Sequence, residues 1–206
     1  MLGTLLWILF ILVLLYIAFQ IFHRAYFLRD PARKIPIGDN IVCPADGKVM
    51  SVKKFGENNI QINKKFLGKV KSFTNDVAKK GYIVSIFMSP FDVHINRAPI
   101  SGQVEYVKHN KGKFLNAESP ESTFENENTQ ILFDDNGFKV KTIQISGFLA
   151  RRIVSFVKKN EKVIKGQRIG LIKLGSQVTM ILPESVKIKV QAGQKVTAGT
   201  TIIAEK

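Results

Sequence analysis

The chain has one cysteine, Cys43, among 206 residues, so no intramolecular disulfide can form and nothing in the sequence asks for an oxidising compartment. A cytosolic setting is permitted. The three histidines, His23, His94 and His109, are scattered without ligand spacing, and beside a single cysteine they suggest no metal site. Acidic residues are few: 16 stand against 31 lysines and arginines, a formal charge of +15. That imbalance draws the protein to polyanions, either nucleic acid or an anionic lipid surface. Helix-turn-helix, zinc-ligand and aromatic-basic RNA patterns are all missing, which argues against nucleic acid as the partner.

Charge is absent altogether from Leu2 to Phe22, a run dominated by Leu, Ile, Val, Phe and Trp. At about 1.5 Å rise per residue such a helix spans roughly 30 Å, enough to cross a bilayer core. A cleaved signal peptide is the rival reading, but its apolar region should be shorter, its start basic and its end marked by small residues. The run therefore predicts a transmembrane anchor over residues 1–22. His23, Arg24, Arg29, Arg33 and Lys34 follow it, and no lysine or arginine precedes it. By the positive-inside rule the rest of the chain lies on the cytoplasmic side of the cell membrane. Residues 23–39 read as a basic juxtamembrane linker, either solvated or held against anionic headgroups at about 1 kcal/mol per charge.

From Asn40 onward long helical periods are scarce, and short apolar or alternating runs are separated by Gly, Asn, Asp and Pro. Strands are expected at Lys48–Val52, Tyr82–Met88, Gly102–Val107, Gln130–Phe133, Phe138–Ile145, Val178–Leu182 and Val186–Val190. The expectation is a mainly β, compact catalytic domain over residues 40–206, preceded by the single transmembrane helix. One short helix is expected over Ser72–Lys79, and the polar, acidic stretch Asn116–Thr129 reads as an exposed loop. Near the C-terminus Val163–Gly170 and Val190–Gly199 repeat one pattern of strand, Gly turn, short strand and Gly turn. These pieces resemble the hairpins of lipoyl and biotinyl carrier domains, where glycine permits positive φ. Ordinary hairpins would read the same way.

Four blocks carry chemistry. The first is Leu28, Arg29, Asp30, Pro31, Ala32, Arg33, Lys34, Ile35, Pro36, leading into Cys43, Pro44, Ala45, Asp46, Gly47, Lys48, Val49. The second runs Met88, Ser89, Pro90, Phe91, Asp92, Val93, His94, Ile95, Asn96, Arg97, Ala98, Pro99, and on through Gly102. The third is Gly147–Val154 followed by Gly166–Gly170, and the fourth is Leu174, Gly175, Ser176 with Ile181, Leu182, Pro183 behind it. Each motif has a plain reading of its own. Gly175-Ser176 is a turn, Asp46 before Gly47 is a turn residue, His94 is a core or surface imidazole, and Arg97 is half of a structural ion pair.

In this order, and over nearly the whole chain, the blocks resemble the short-form phosphatidylserine decarboxylases. The resemblance implies a precursor that cuts itself between Gly175 and Ser176 into a β chain, 1–175, and an α chain, 176–206. The Ser176 hydroxyl attacks the Gly175 carbonyl, the amide becomes an ester, and elimination across the serine Cα and Cβ followed by hydrolysis leaves a pyruvoyl group and ammonia. Glycine before the serine suits a strained turn with no side chain blocking the attack. A serine hydroxyl needs a positioned base, and that base needs an orienting group; His94 and Asp46 are the residues matched to those roles. The pyruvoyl group, covalent and derived from Ser176, then serves as the electron sink for decarboxylation of phosphatidylserine in an anionic membrane to phosphatidylethanolamine.

Longer members of the family carry a second histidine three residues after the first, where this chain has Arg97, and Gln177 replaces the threonine or arginine common after the serine. Arg97 could grip the substrate carboxylate or phosphate through its forked donors. Other readings stay open: decarboxylation of another serine-headed lipid such as archaetidylserine, or a non-catalytic membrane-tethered adaptor. A homodimer is compatible with the sequence.

Overall fold

A computed structural model describes residues 2–56, 67–116, 122–147, 152–173 and 176–206. The apolar run forms helix α1 (Leu2–Ile21), long and apolar enough to cross a membrane, with none of its residues buried against the rest of the chain. It continues into a π-helical segment, Phe22–Phe27, whose last ring is fully buried in the domain that follows. The helix and the domain therefore share packing.

The domain is built from strands β1 (Asn40–Val42), β2 (Gly47–Phe55), β3 (Gly81–Met88), β4 (Ile95–Arg97), β5 (Gly102–Asn110), β6 (Asn128–Asp135) and β7 (Phe138–Ser146). There follow β8 (Ile153–Ser155), β9 (Lys162–Val163), β10 (Arg168–Ile172), β11 (Ser176–Pro183), β12 (Lys187–Ile188), β13 (Lys195–Val196) and β14 (Ile202–Glu205). Eight of them make one antiparallel sheet in the order β13-β2-β3-β11-β7-β6-β5-β9, and two three-stranded sheets, β1-β14-β12 and β4-β10-β8, complete the layers. Alternation decides what each face meets. Val178, Met180 and Leu182 of β11 enter the main core with Val84, Ile86 and Met88, whereas Ile181 turns to a second core with Ile83, Ile143 and Ile145.

That second core is covered by α2 (Leu67–Thr74), which begins and ends earlier than the helix expected at Ser72–Lys79. The chain turns at Asn75–Val77, where the Val77 and Ala78 amides donate to the Thr74 carbonyl at 2.9 and 3.0 Å and Asp76 enters an ion pair. Its partner is Lys141, a fully buried lysine on β7 that also donates to the Phe73 carbonyl at 2.7 Å. Burial pushes the Lys141 pKa down, and the Asp76 carboxylate opposes that shift.

Asn116–Thr129, expected to be an exposed loop, is largely interior where it is described; residues 117–121 lie outside the described residues. Ser122–Glu125 forms a short helical turn, α3, and Asn126, Asn128 and Thr129 are buried. Polar composition misled because these side chains satisfy one another. Asn126 exchanges two 2.8 Å hydrogen bonds with the Leu115 backbone, and Ser122 and Thr123 bond the amide of Gln177 at 2.9 and 2.7 Å. The strand expected at Val186–Val190 contracts to Lys187–Ile188.

The two C-terminal repeats do not close as local hairpins. Each crosses to a proline-containing segment far away in sequence. Gly199 donates to the Cys43 carbonyl at 2.7 Å and Gly166 to the Ala98 carbonyl at 2.9 Å, and their turns carry positive φ as expected, +73° and +82°, whereas Gly170, expected to be a second turn, lies inside strand β10, paired with Asn96 and Ser155. The partner segments are used alike. Val42 donates to Pro99 and Arg97 to Pro44, Val49 to Gln194 and Val104 to Glu161, and both β2 and β5 shift register just after that valine. Pro44, Gly47 and Val49 thus correspond to Pro99, Gly102 and Val104 about an approximate internal two-fold. Glycine is required at its centre: a Cβ would lie 2.0 Å from the Phe87 carbonyl oxygen at Gly47 and 2.4 Å from that of Asp134 at Gly102.

Candidate active site

Ser176 is the first residue of β11, the strand flanked by β3 and β7. It is paired with Met88, the last residue of β3, and with Ser146, the last of β7. All three are buried. The serine hydroxyl donates to the Met88 Sδ at 3.5 Å, and Asn96 Nδ2 reaches the same sulfur at 3.7 Å. A thioether is a weak acceptor, so this contact points the hydroxyl without holding its proton firmly. Asn96 Oδ1 in turn accepts from Gln144 Nε2 at 2.8 Å. Gln144 stands opposite Val178, and neither its Oε1 nor the Thr142 hydroxyl, both buried, has a hydrogen-bond partner among the described residues. Leu174 and Gly175 lie outside the described residues.

His94 is held by the turn before it. Asp92 Oδ2 accepts from the amide and the hydroxyl of Ser89, both at 2.7 Å, which closes a rigid Ser-Pro-Phe-Asp turn. The imidazole Nδ1 lies 2.9 Å from the Asp92 carbonyl oxygen. A carbonyl only accepts, so Nδ1 carries the proton and Nε2 presents its lone pair. Nε2 is buried and without a partner among the described residues. Phe27 covers the ring with centroids 4.1 Å apart. Burial pushes the pKa down to about 4, against the upward pull of the Asp92 carbonyl, so the imidazole is neutral near pH 7. A neutral imidazole with a free, desolvated lone pair is equipped to take a proton from a hydroxyl.

Asp46 is committed elsewhere. Its carboxylate accepts from Arg33 Nη2 at 3.0 and 2.8 Å and from the Ala198 amide at 2.8 Å, so the group orienting His94 is the Asp92 carbonyl. Arg97 is likewise occupied: it donates to the Gly166 carbonyl at 3.0 Å, pairs with Asp30 and reaches the Pro31 carbonyl at 3.4 Å, while Arg168 engages the other oxygen of Asp30. Those partners fit the structural ion pair, and they fasten the juxtamembrane segment to the domain. Gln177 turns its amide to Ser122, Thr123 and Thr179, tying α3 to β11. Sequence reasoning missed Asn96 and Gln144. Asn96 had a signal in its place two residues after His94, but Gln144 sits inside an alternating strand with nothing to mark it.

A buried serine opening the central strand, with a neutral histidine lodged under the end of an apolar helix, is the setting in which likeness to known proteins becomes informative. A model of the family described as phosphatidylserine decarboxylase matches residues 21–204. A phosphatidylserine decarboxylase proenzyme of Chlorobium phaeobacteroides is 44% identical over 184 residues, 89% of this chain and 79% of its own. Another, of Chlorobium chlorochromatii, is 45% identical over 179 residues, covering 86% and 76%. A Methanocaldococcus jannaschii protein, provisionally named archaetidylserine decarboxylase proenzyme, is 42% identical over 182 residues, 88% of each chain. This chain belongs to the phosphatidylserine decarboxylase family.

Proposed function

We propose that the chain decarboxylates phosphatidylserine at a membrane surface, releasing carbon dioxide and leaving phosphatidylethanolamine, after cutting itself between Gly175 and Ser176. The observation that carries this reading is the placement of Ser176: a buried hydroxyl at the open end of the central strand, weakly held by Met88. In the cut, Ser176 Oγ bonds to the Gly175 carbonyl carbon as the C–N bond breaks, and the hydroxyl proton passes by way of a base to the departing Ser176 amine. His94 is that base in this reading, because its imidazole is neutral near pH 7 and its buried Nε2 lone pair has no partner among the described residues. Asp46 then acts at one remove, through Arg33 and the Ala198 backbone, and Arg97 braces the segment leading from the helix. Elimination across the Ser176 Cα and Cβ frees the Gly175 carboxylate and leaves dehydroalanine, whose hydrolysis releases ammonia and leaves a pyruvoyl group in place of Ser176.

The surroundings fit such a group. Position 176 is fully buried, and Gln144 Oε1, two residues along on the neighbouring strand, is a buried polar atom without a partner among the described residues. A pyruvoyl ketone supplies an electron sink for the pair released with carbon dioxide. Asn96 and Gln144 fix the polar wall beside it.

Residues 1–22 serve as the anchor, 23–39 join it to the domain of residues 40–206, and the basic residues after the helix put that domain on the cytoplasmic side. Intact-mass analysis of the purified protein is the test. Two chains divided before Ser176, the shorter one with a blocked N-terminus reactive toward carbonyl reagents, are expected, and Ser176→Ala should remain one chain. An uncut wild type with full decarboxylase activity would sink the mechanism. The M. jannaschii relative favours a second reading, in which the lipid is archaetidylserine, since only the serine headgroup engages in the chemistry. Assaying both lipids in matched vesicles separates the two.

A further inference from the structure

The turn that supports His94 also reaches outward. Phe91, at its apex, is 65% exposed, an unusual place for a phenylalanine in so closed a turn. Two of its contacts come from the end of the apolar helix and the residues just after it. The ring meets Phe22 edge-on at 6.3 Å, and the Phe91 carbonyl accepts from Arg29 Nη2 at 2.6 Å. Arg29 lies over the Tyr26 ring, 3.9 Å from its centroid, and Tyr26 is itself 41% exposed.

Depth follows from length. The 20 residues of α1 rise about 30 Å, the thickness of a hydrocarbon core, so Phe22 falls where the acyl chains give way to headgroups. A side chain in contact with Phe22 sits at nearly that depth. The depths of the two rings can differ by no more than the 6.3 Å between their centroids. Aromatic rings favour this boundary, and an arginine beside them meets anionic headgroups.

We propose that Phe91 and Tyr26 form a second membrane contact, in which the apex of the Ser89–Asp92 turn is inserted into the headgroup boundary of an anionic bilayer. This rests on the reading of α1 as a membrane span. The partner is the lipid surface itself, and the inserted turn fixes the depth of His94, three residues beyond Phe91. A headgroup then meets the site close to its resting level, without the lipid being drawn far out of the bilayer.

Depth-dependent quenching tests the contact in the full chain, reconstituted in phosphatidylglycerol–phosphatidylcholine vesicles with bromines placed at different positions on the acyl chains. Trp7 is the sole tryptophan, so the unaltered protein reports on the anchor and a Trp7→Phe, Phe91→Trp double variant reports on the turn. Trp7 should be quenched by acyl-chain bromines. The indole introduced by Phe91→Trp should be quenched most by the bromines nearest the headgroup and should emit at shorter wavelength than an indole in water. Quenching of Trp7 together with an unquenched, water-like emission from the double variant would overturn the proposal. An unquenched Trp7 would overturn the anchor reading beneath it. As a second measurement, Phe91→Ser should lower turnover of vesicle-embedded lipid several-fold more than turnover of a short-chain, monomeric substrate; equal losses on both would count against insertion.

Discussion

The ring of Phe27, the last residue of the π-helical segment, lies on the imidazole of His94 with centroids 4.1 Å apart. Both residues are fully buried, so a segment expected to be linker supplies the lid of a candidate catalytic group. Phe27→Ala should cost about 3–5 kcal/mol of stability, as large-to-small changes at buried aromatics do, and Phe27→Leu considerably less. The distinguishing readout is the His94 pKa, followed by NMR of labelled histidine in micelles. Removing the lid admits water and should raise that pKa from about 4 toward 6.5. An unmoved titration would mean that Phe27 is not what desolvates the ring.

His94 also makes stability depend on pH in a definite direction. Unfolded, its imidazole titrates near 6.5; folded, burial holds it at about 4. Above the first value both states are neutral and the contribution is whole. As pH falls from about 6.5 toward 4, the unfolded chain binds a proton that the folded chain refuses, and stability drops by up to about 1.4 kcal/mol per pH unit. The apparent melting temperature should therefore fall between pH 7 and pH 5, and by less in His94→Gln. Equal falls in the two proteins would contradict the assignment.

Arg33 and Asp46 separate two accounts of one carboxylate. If Asp46 acts through its ion pair, Arg33→Gln and Asp46→Asn should slow self-cleavage alike, each destabilising by about 1–3 kcal/mol, and the double variant should be no slower than the worse single one. If Asp46 instead serves the imidazole directly, Asp46→Asn alone should halt the cut. Time courses of precursor disappearance decide between them.

Lys141 and Asp76 test the buried pair under α2. Asp76→Ala strands a buried ammonium and should cost about 3 kcal/mol or more, whereas Lys141→Met in the Asp76→Ala background should recover most of that loss. Thermal unfolding of the three proteins gives the comparison.

Strands whose apolar residues alternate were legible in sequence: Tyr82–Met88, Phe138–Ile145 and Val178–Leu182 lie within β3, β7 and β11. The strand ends were not. Ser176 and Asn128 read as turn or loop and Ser146 fell just beyond an expected strand, yet all three are buried at the margin of the sheet where the candidate site lies, Ser176 paired with Ser146 and Asn128 with Ile145. Asn116–Thr129 failed for the same reason, since composition reports polarity and cannot report that each polar group has a partner. The C-terminal repeats were visible through their glycines. Their partner segments share Pro-x-x-Gly-x-Val at Pro44–Val49 and Pro99–Val104, a weaker echo of the same two-fold. Of the site, Ser176 and His94 stood out through their motifs, whereas the commitments of Asp46 and Arg97 depend on residues brought close only by folding.

The position of β11 bears on what a cut chain could do after being unfolded. Eight residue pairs join it to β3 and six to β7, and β12, β13 and β14 also lie among strands from before Ser176 or beside them. A cut before Ser176 would leave a middle strand of the eight-stranded sheet in place, unable to depart without tearing both neighbours. The precursor closes that gap with its own covalent chain, so its folding rate is independent of concentration. Once cut and denatured, the same polypeptide would have to find its missing strand by diffusion. Refolding would become second order, and dilution alone would turn a reversible molecule into an irreversible one.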